Sequence, residues 1–249
     1  KKNRPDFIIA HLITSLPLFI NKFFNNGFKC ILRISGYPKL HFIRNLFWKI
    51  FTKKIFKITC PTYELLEKLV LKGFDKNKLI FLPDAIIDIN KNLKIKNKLI
   101  KRKSDKKFIL AAGRLTPQKN HKYLVEEVSN FFKYNNKYDL YIVGDGEEKN
   151  NLEKQIKELN MTDRIFLLGY SENVFAYMKN ASLFILSSKW EEVGFVIVEA
   201  ATNNLFILSS DCPNGPKEFL LDGKAGVLFQ TDIKNELKNK LVDYNENNF

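Results

Sequence analysis

The sequence has few of the residues that build disulfide frameworks, metal centres or nucleotide-hydrolysing loops. Its 249 residues include only three cysteines, Cys30, Cys60 and Cys212, which are odd in number and widely spaced. Such spacing favours neither a disulfide framework nor a zinc site, so a reducing cytoplasm is the expected compartment. The absence of a Gly-Lys-Ser/Thr phosphate loop argues against an ATPase or GTPase of that type. No Asp-x-Asp motif occurs, so a bound divalent metal is not required. No cofactor is predicted.

Long hydrophobic runs are also absent. The apolar stretch 7–20 has 14 residues and contains His11 and Pro17, whereas a membrane-spanning helix requires about 20 apolar residues. Asn21-Lys22 is no small-residue cleavage site, so the stretch does not fit a signal peptide. We interpret it as a core strand and helix of a folded domain.

The net charge of +14 is distributed unevenly along the chain. Residues 1–107 hold 25 basic and 7 acidic residues, whereas residues 108–249 hold 16 basic and 20 acidic residues. Nine of the basic residues fall in 91–107, a polar stretch that we interpret as a linker. A Lys/Asn/Ile-rich composition bias is the alternative explanation for the charge in general, but it explains the asymmetry less well.

Short Ile/Val/Phe/Leu runs alternate with segments of helical period throughout the chain. This alternation predicts an α/β fold with doubly wound parallel sheets. In the second half the predicted strands are 108–112, 139–143, 165–168, 183–187, 206–209 and 226–229. The predicted helices there are 119–133, 147–159, 173–180, 194–203, 216–221 and 231–243.

The first half predicts only four strands, at 7–12, 30–35, 56–60 and 78–82. Because the chain starts without Met directly before a strand, we expect the first strands of an N-terminal domain to be missing. The expected organisation is a partial first domain at 1–90, the basic linker at 91–107 and a second domain at 108–249.

The most informative segment is 187–200, SSKWEEVGFVIVEA, where a buried strand leads through a loop into a helix beginning near Gly194. Ligands of open α/β sheets bind at the carboxyl ends of strands, and a helix N-terminus offers unpaired N–H groups to an anion. Glu191 in the loop and Glu199 in the second helical turn can each accept hydrogen bonds from ligand hydroxyl groups. Taken alone, two such glutamates are more commonly solvated surface acids.

Glu191, seven intervening residues and Glu199, with Gly194-Phe195 between them, resemble the paired-glutamate motif of retaining glycosyltransferases of family 4, which have the GT-B fold. The chain departs from that motif at Glu192-Val193, where many members carry Gly-Phe. Ala112-Gly113-Arg114-Leu115 followed by Lys119 is similar to the family segment that binds the diphosphate of a sugar nucleotide. The resemblance covers nearly the whole chain, and most strongly residues 108–229.

This resemblance implies a role for each matching residue. Arg114 and Lys119 would stabilise the departing diphosphate together with the helix end at Gly194. Glu191 would hold the donor sugar and Glu199 the ribose. His11, at the end of the first strand, would face the sugar, and Arg33, at the end of the next strand, suits acceptor contact. The predicted catalytic residues are His11, Arg114, Lys119 and Glu191. The predicted substrate-binding residues are Gly113, Arg114, Lys119, Gly169, Tyr170, Glu191, Gly194, Phe195, Val196 and Glu199.

The function implied is retaining, metal-independent transfer of a hexose or N-acetylhexosamine from a nucleoside diphosphate sugar, with UDP as the first guess. The acceptor would be a glycan or a lipid-linked molecule in surface polysaccharide or lipopolysaccharide assembly. The basic first domain predicts attachment of a cytoplasmic protein to the anionic inner face of the cell membrane. A GT-B-type epimerase or phosphorylase and a non-catalytic nucleotide-sugar-binding fragment remain alternatives. A nucleic-acid partner has only the sequence pI of about 9.5 in its favour and no supporting motif.

Overall fold

The computed structural model describes residues 5–11, 16, 19–20, 27–36, 38, 41–84, 88, 100 and 102–247. Most of the predicted linker, residues 91–99 and 101, lies outside the described residues. The chain divides into two compact units, Lys1–Ala85 and Ile86–Phe249. Each unit contains a parallel sheet with helices, which confirms the predicted α/β class.

The first unit is built on a four-stranded parallel sheet in the order β1-β2-β3-β4. These strands are β1 (Phe7–His11), β2 (Lys29–Arg33), β3 (Lys57–Cys60) and β4 (Leu79–Phe81). Two α-helices are described, α1 (Phe42–Phe51) and α2 (Tyr63–Leu71), together with 3₁₀ turns at Thr52–Lys54 and Lys76–Lys78.

The core of this unit forms between the helices and the sheet. Trp48 of α1 and Leu65 and Leu69 of α2 are fully buried with Leu32 and Ile58 of the strands. Burying one such apolar side chain stabilises the fold by about 1.5–3 kcal/mol. The helices therefore dock through one apolar face each, and their packing holds the sheet.

The second unit contains a six-stranded parallel sheet in the order β10-β9-β8-β5-β6-β7. The strands are β5 (Lys107–Ala112), β6 (Tyr138–Val143), β7 (Ile165–Gly169), β8 (Leu183–Leu186), β9 (Phe206–Ser210) and β10 (Val227–Phe229). The helices are α3 (His121–Phe132), α4 (Lys149–Glu158), α5 (Val174–Asn180), α6 (Phe195–Ala201), α7 (Pro216–Phe219) and α8 (Glu236–Asn247). Hydrophobic clusters cover both faces of this sheet, as a doubly wound fold requires.

The chain reverses its direction of progress across the sheet at β5. It proceeds from β5 to β6 and β7 on one side, and then returns to β8, β9 and β10 on the other. The helices that follow β5 and β8 therefore pack on opposite faces of the sheet. The crevice at such a switch point, at the carboxyl ends of the strands, is where open α/β sheets bind ligands.

The last helix corrects one prediction. The sequence predicts it over 231–243, but α8 begins at Glu236. Asn235 has a φ of 63°, which lies in the left-handed region and is incompatible with a right-handed helix. The buried carboxylate of Glu127 accepts the backbone N–H groups of Asn235 and Lys238, each at 3.1 Å. A side chain more than 100 residues away in the sequence thus fixes where the helix starts.

No helix within the described ranges has the length and hydropathy that a membrane crossing requires. The three cysteines are free and buried. Burial raises the pKa of Cys60 and of Cys212 to about 12. Both therefore remain neutral thiols at physiological pH.

Candidate functional site

A cavity of about 510 Å³ opens at the carboxyl ends of β5, β6, β7 and β8 in the second unit. Its walls come from the loops that follow these strands and from the first turns of α5 and α6. The lining residues are Ala112, Gly113, Arg114, Gln118, Lys119, Val143, Gly144, Asp145, Tyr170, Ser171, Val174, Glu191, Glu192, Val193, Gly194, Phe195, Val196 and Glu199. Nine of the ten predicted substrate-binding residues line this one cavity.

The loop after β5 is pressed against the end of β6. Gly113 donates its N–H to the Val143 carbonyl at 3.0 Å, and Leu115 donates to the Asp145 carbonyl at 2.9 Å. Gly144 has a φ of 151°, and a Cβ at this position would lie 1.8 Å from the carbonyl oxygen of Gly113. Only glycine permits such an approach of two backbones, so the turn at Gly144 joins the two loops and also lines the cavity.

The loop after β8 is fastened to the loop after β5 by three hydrogen bonds. Lys189 donates its N–H to the Gln118 carbonyl at 2.8 Å. The amide of Gln118 donates to the Trp190 carbonyl at 2.9 Å, and the Ser187 hydroxyl donates to the Lys119 carbonyl at 2.8 Å. The two predicted ligand-binding segments are therefore adjacent, although 72 residues separate Lys119 from Glu191 in the sequence.

Glu191 is held by several partners. Its backbone N–H donates to the Pro213 carbonyl at 3.1 Å. Its carboxylate accepts from the Lys119 ammonium at 2.6 Å and from the Ser188 hydroxyl. The Lys119 and Glu191 side chains are only 13% and 7% exposed. A buried carboxylate needs such partners, because an isolated buried charge is strongly destabilising.

Glu199 lies on α6, one turn beyond Gly194, which precedes the helix with a φ of 76°. Burial raises the pKa of the Glu199 carboxyl, and the nearby positive charge of Lys119 partly offsets that effect. The helix has only seven residues. The contact of a diphosphate with the helix end at Gly194, together with Arg114 and Lys119, stays a prediction.

The cavity carries both signs of charge. Two cations, Arg114 and Lys119, face it, and so do four carboxylates, Asp145, Glu191, Glu192 and Glu199. Cations can pair with phosphate oxygens, and carboxylates accept hydrogen bonds from hydroxyl groups. The arrangement therefore suits an elongated ligand with an anionic part and a hydroxyl-rich part.

Gly169 is the one predicted binding residue outside the cavity lining. Its carbonyl accepts the N–H of Gly144 at 2.9 Å, so its backbone supports the wall. Tyr170, the next residue, lines the cavity and is 76% exposed. An exposed aromatic ring at a cavity mouth provides a face on which a planar ring can stack.

Sequence reasoning missed several lining residues, among them Gln118, Asp145, Ser171, Val174 and Glu192. Asp145 had a usable signal, because it comes two residues after a buried strand whose carboxyl end lies at the ligand edge. The other four lie in loops or at a helix start, where the position of a side chain depends on contacts with distant segments.

His11 belongs to the first unit, where it lies at the carboxyl end of β1. One guanidinium nitrogen of Arg33 is 3.0 Å from His11 Nε2 and 3.2 Å from Nδ1. Arg33 also forms an ion pair with Asp84, which follows β4. A guanidinium can only donate, and a neutral imidazole has one accepting nitrogen. Arg33 therefore donates to one of the two ring nitrogens of His11, and the tautomer decides which. The three side chains form one hydrogen-bonded cluster at the ligand edge of the sheet.

The family described as "Glycosyl transferases group 1" matches residues 93–248, which is more than half of the chain. The chain belongs to this family. Known relatives match this chain over a longer stretch than the family does. An uncharacterised glycosyltransferase of Methanocaldococcus jannaschii is 31% identical over 241 residues, covering 87% of this chain and 58% of the relative.

A second relative has a described reaction. It is the N-acetylgalactosamine-N,N'-diacetylbacillosaminyl-diphospho-undecaprenol 4-alpha-N-acetylgalactosaminyltransferase of Campylobacter jejuni. It is 26% identical over 244 residues, covering 94% of this chain and 63% of the relative. The chain thus spans about three fifths of the length of these two relatives.

Solved structures show the fold. Anabaena HepE in complex with UDP and glucose has a TM-score of 0.78 at 17% identity, covering 98% of this chain and 69% of that chain. TarM has a TM-score of 0.77 at 20% identity, covering 97% of this chain and 48% of that chain. These are glycosyltransferases of the GT-B class, so the predicted GT-B-like fold is confirmed.

Proposed function

We propose that the chain carries out retaining transfer of a hexose or N-acetylhexosamine from a nucleoside diphosphate sugar, with UDP as the nucleotide. The acceptor is a glycan or a lipid-linked molecule in surface polysaccharide assembly. One observation carries this proposal: Arg114, Lys119, Glu191 and Glu199 surround a single cavity of about 510 Å³. Family membership supports the reaction class, and the UDP bound to HepE supports the choice of nucleotide.

In the proposed complex Arg114 and Lys119 pair with the diphosphate, Glu199 accepts from the ribose hydroxyls and Glu191 from the donor sugar. Lys119 then pairs with two anions, the diphosphate and the carboxylate of Glu191 that it already contacts. The remaining predicted contacts are backbone groups at Gly113, Gly169 and Tyr170 and along 194–196.

The proposed step forms one bond and breaks one. The acceptor hydroxyl oxygen bonds to the anomeric carbon, and the bond from that carbon to the diphosphate oxygen breaks with its electron pair on the diphosphate. The hydroxyl proton leaves with the nucleoside diphosphate. Positioned cations lower the barrier by stabilising the charge that develops on the leaving group. His11 remains the predicted catalytic residue of the first unit.

Donor binding tests the cavity assignment directly. Glu199→Gln and Arg114→Ala are each expected to weaken binding of UDP by roughly 1.5–3 kcal/mol, the range for a hydrogen bond to a charged group. Isothermal calorimetry with UDP-, GDP- and ADP-sugars measures the effect. Lys189→Ala is a matched control, because this exposed lysine lies in the loop after β8, beside the cavity but outside its lining. Unchanged binding of all nucleotides in both cavity variants would refute the assignment.

Turnover separates the reaction classes. A transferase releases free UDP and yields a glycosylated acceptor whose new linkage keeps the anomeric configuration of the donor, as read by NMR. An altered sugar still attached to UDP would indicate an epimerase, phosphate-dependent cleavage a phosphorylase, and binding without turnover a binding fragment. His11→Ala is expected to lower turnover while leaving UDP affinity unchanged.

Metal independence is part of the proposal, because two positioned cations line the cavity. Donor binding is expected to survive excess EDTA. Loss of binding on chelation, with recovery on adding Mg²⁺ or Mn²⁺, would refute this part alone.

Peripheral attachment at the cytoplasmic face of the membrane completes the proposal. It is supported by the excess of basic residues in 1–107 and by the lipid diphosphate in the name of the Campylobacter relative. Binding to anionic vesicles at low salt, with release at high salt, is the expected behaviour, because salt screens surface attraction beyond about 8 Å. No nucleic-acid partner is proposed.

A further inference from the structure

Helix α1 has two apolar sides, and only one of them is covered. Trp48 packs into the core of the first unit. Phe42 and Ile43 are 84% and 81% exposed, and Leu46 and Ile50 are also exposed. At about 100° per residue these four positions fall within an arc of about 100° on the helix. We call them the outer face of α1.

The outer face leads directly into a basic groove. A cavity of about 560 Å³ is lined by Leu46 and Ile50 together with Lys49, Lys53 and Lys78. Asp75 is the only acidic residue among its lining residues. Apolar and cationic side chains therefore share one surface.

The three lysines of the groove are not neutralised by neighbours. Within the part of the chain that the structure describes, none of them has a carboxylate oxygen within 4.0 Å. Lys78 is held in place by the backbone carbonyls of Thr52 and Lys53. The groove thus presents cations that no carboxylate of the described residues pairs with.

The surrounding unit carries the same sign. Residues 1–85 hold 16 basic and five acidic residues. A soluble monomer rarely exposes a contiguous apolar patch without a partner. A surface that combines exposed apolar side chains with lysines matches the boundary between the acyl chains and the headgroups of an anionic bilayer.

We propose that α1 lies in the plane of an anionic membrane, with its outer face among the headgroups and upper acyl chains. Lys49, Lys53 and Lys78 contact the headgroup phosphates. The helix has ten residues and is about 15 Å long, so it lies on the bilayer and does not cross it. This inference rests on the peripheral attachment in the proposed function and names the surface that produces it.

The test is flotation of the 249-residue chain with phosphatidylcholine vesicles, with and without phosphatidylglycerol. The parent chain is expected to float only with the anionic vesicles. Lys49→Gln/Lys53→Gln should weaken vesicle binding roughly 25-fold, because each lysine near an anionic surface contributes about fivefold. Phe42→Ser/Ile43→Ser should weaken it by at least tenfold at both low and high salt, because apolar insertion is not screened.

Matched controls lie on the same unit. Leu71 is 86% exposed at the end of α2, and Lys72 follows it. Leu71→Ser and Lys72→Gln should change vesicle affinity less than twofold. Circular dichroism must show the parent spectrum for every variant, and Ile50→Ser provides a second test of the outer face if the Phe42/Ile43 pair fails to fold.

The outcomes separate this inference from the proposed function. Unchanged binding in the α1 variants, with loss when Lys98, Lys101, Arg102 and Lys103 become Gln, would place the attachment in the linker and overturn the inference. Equal flotation with neutral and anionic vesicles, or none with either, would overturn the inference together with peripheral attachment. UDP-sugar binding and turnover are measured without vesicles, so the proposed chemistry stands or fails separately.

Discussion

Replacing Lys119 by Met should destabilise the second unit through a carboxylate that the substitution does not touch. The ammonium of Lys119 lies 2.6 Å from Glu191 Oε1, and both side chains are largely buried. Met keeps most of the length of the side chain and removes its charge. The variant therefore leaves Glu191 buried without its cation, and little packing is lost.

The size of the effect follows from that burial. Removing one partner of a buried ion pair typically costs 3–5 kcal/mol. The Ser188 hydroxyl still donates to Glu191, and the Lys119 side chain keeps 13% exposure in the parent. We therefore expect a value at or just below the lower end of that range, about 2–3 kcal/mol in the free energy of unfolding.

A double-mutant cycle with Glu191→Gln isolates the pair. Gln is neutral and can still accept from Ser188, so Lys119→Met/Glu191→Gln should be more stable than Lys119→Met alone. The expected coupling energy is about 1–3 kcal/mol. Urea unfolding at pH 7, followed by circular dichroism, gives all four free energies. Lys122→Met, at an exposed lysine in the first turn of α3, three residues beyond Lys119, should stay within about 0.5 kcal/mol of the parent.

Two results would refute this reasoning. A Lys119→Met chain as stable as the parent would show that Glu191 does not depend on Lys119. Strictly additive single changes would show that the two charges are uncoupled, and the adjacent placement of the two loops would then have another cause.

Three further changes have definite expected outcomes. Gly144→Ala places a Cβ 1.8 Å from the Gly113 carbonyl oxygen. We expect this change to lower the free energy of unfolding by about 3 kcal/mol or more and to remove UDP binding. A thermal melting curve identical to that of the parent would contradict the close approach of the two backbones. Glu127→Ala should cost about 1.5–3 kcal/mol by urea unfolding, because two N–H groups lose a charged acceptor, whereas the exposed Glu126→Ala should have little effect. Burial and the charge of Lys119 lower the pKa of His121 to about 4, and the backbone of Arg114 partly opposes them. The folded chain then binds a proton less readily than the unfolded chain. The free energy of unfolding should therefore fall by on the order of 3 kcal/mol as the pH drops from 6.5 towards 4. His121→Phe should flatten this dependence in urea titrations at several pH values, and an unchanged slope would assign it to another group.

The strands of the second unit could be predicted from local sequence because they are buried on both faces. Such strands appear as continuous Val/Ile/Leu/Phe runs, and the predicted strand 108–112 corresponds to Lys107–Ala112 in the structure. Helix ends were less accurate, as the start of α8 shows. The left-handed conformation of Asn235 depends on Glu127 in another helix, and no local pattern contains that information.

The candidate site shows the same division. The strand-loop-helix order places Arg114, Lys119, Glu191 and Glu199 at one edge of a parallel sheet, and that much follows from sequence. The contact of Lys119 with Glu191 does not follow, because it needs the Ser187 hydroxyl and other groups to fix both loops. The cluster of His11 with Arg33 and Asp84 likewise depends on the register of three strands.

The walls of the cavity are joined largely by main-chain atoms. Gly113 donates to Val143, Leu115 to Asp145 and Gly144 to Gly169 through backbone groups alone. Substitution of an exposed lining side chain such as Glu192 therefore leaves these bonds in place. Exposed lining side chains can therefore be exchanged without breaking these main-chain bonds, in contrast to Lys119 and Glu191, whose buried ion pair joins two of the walls.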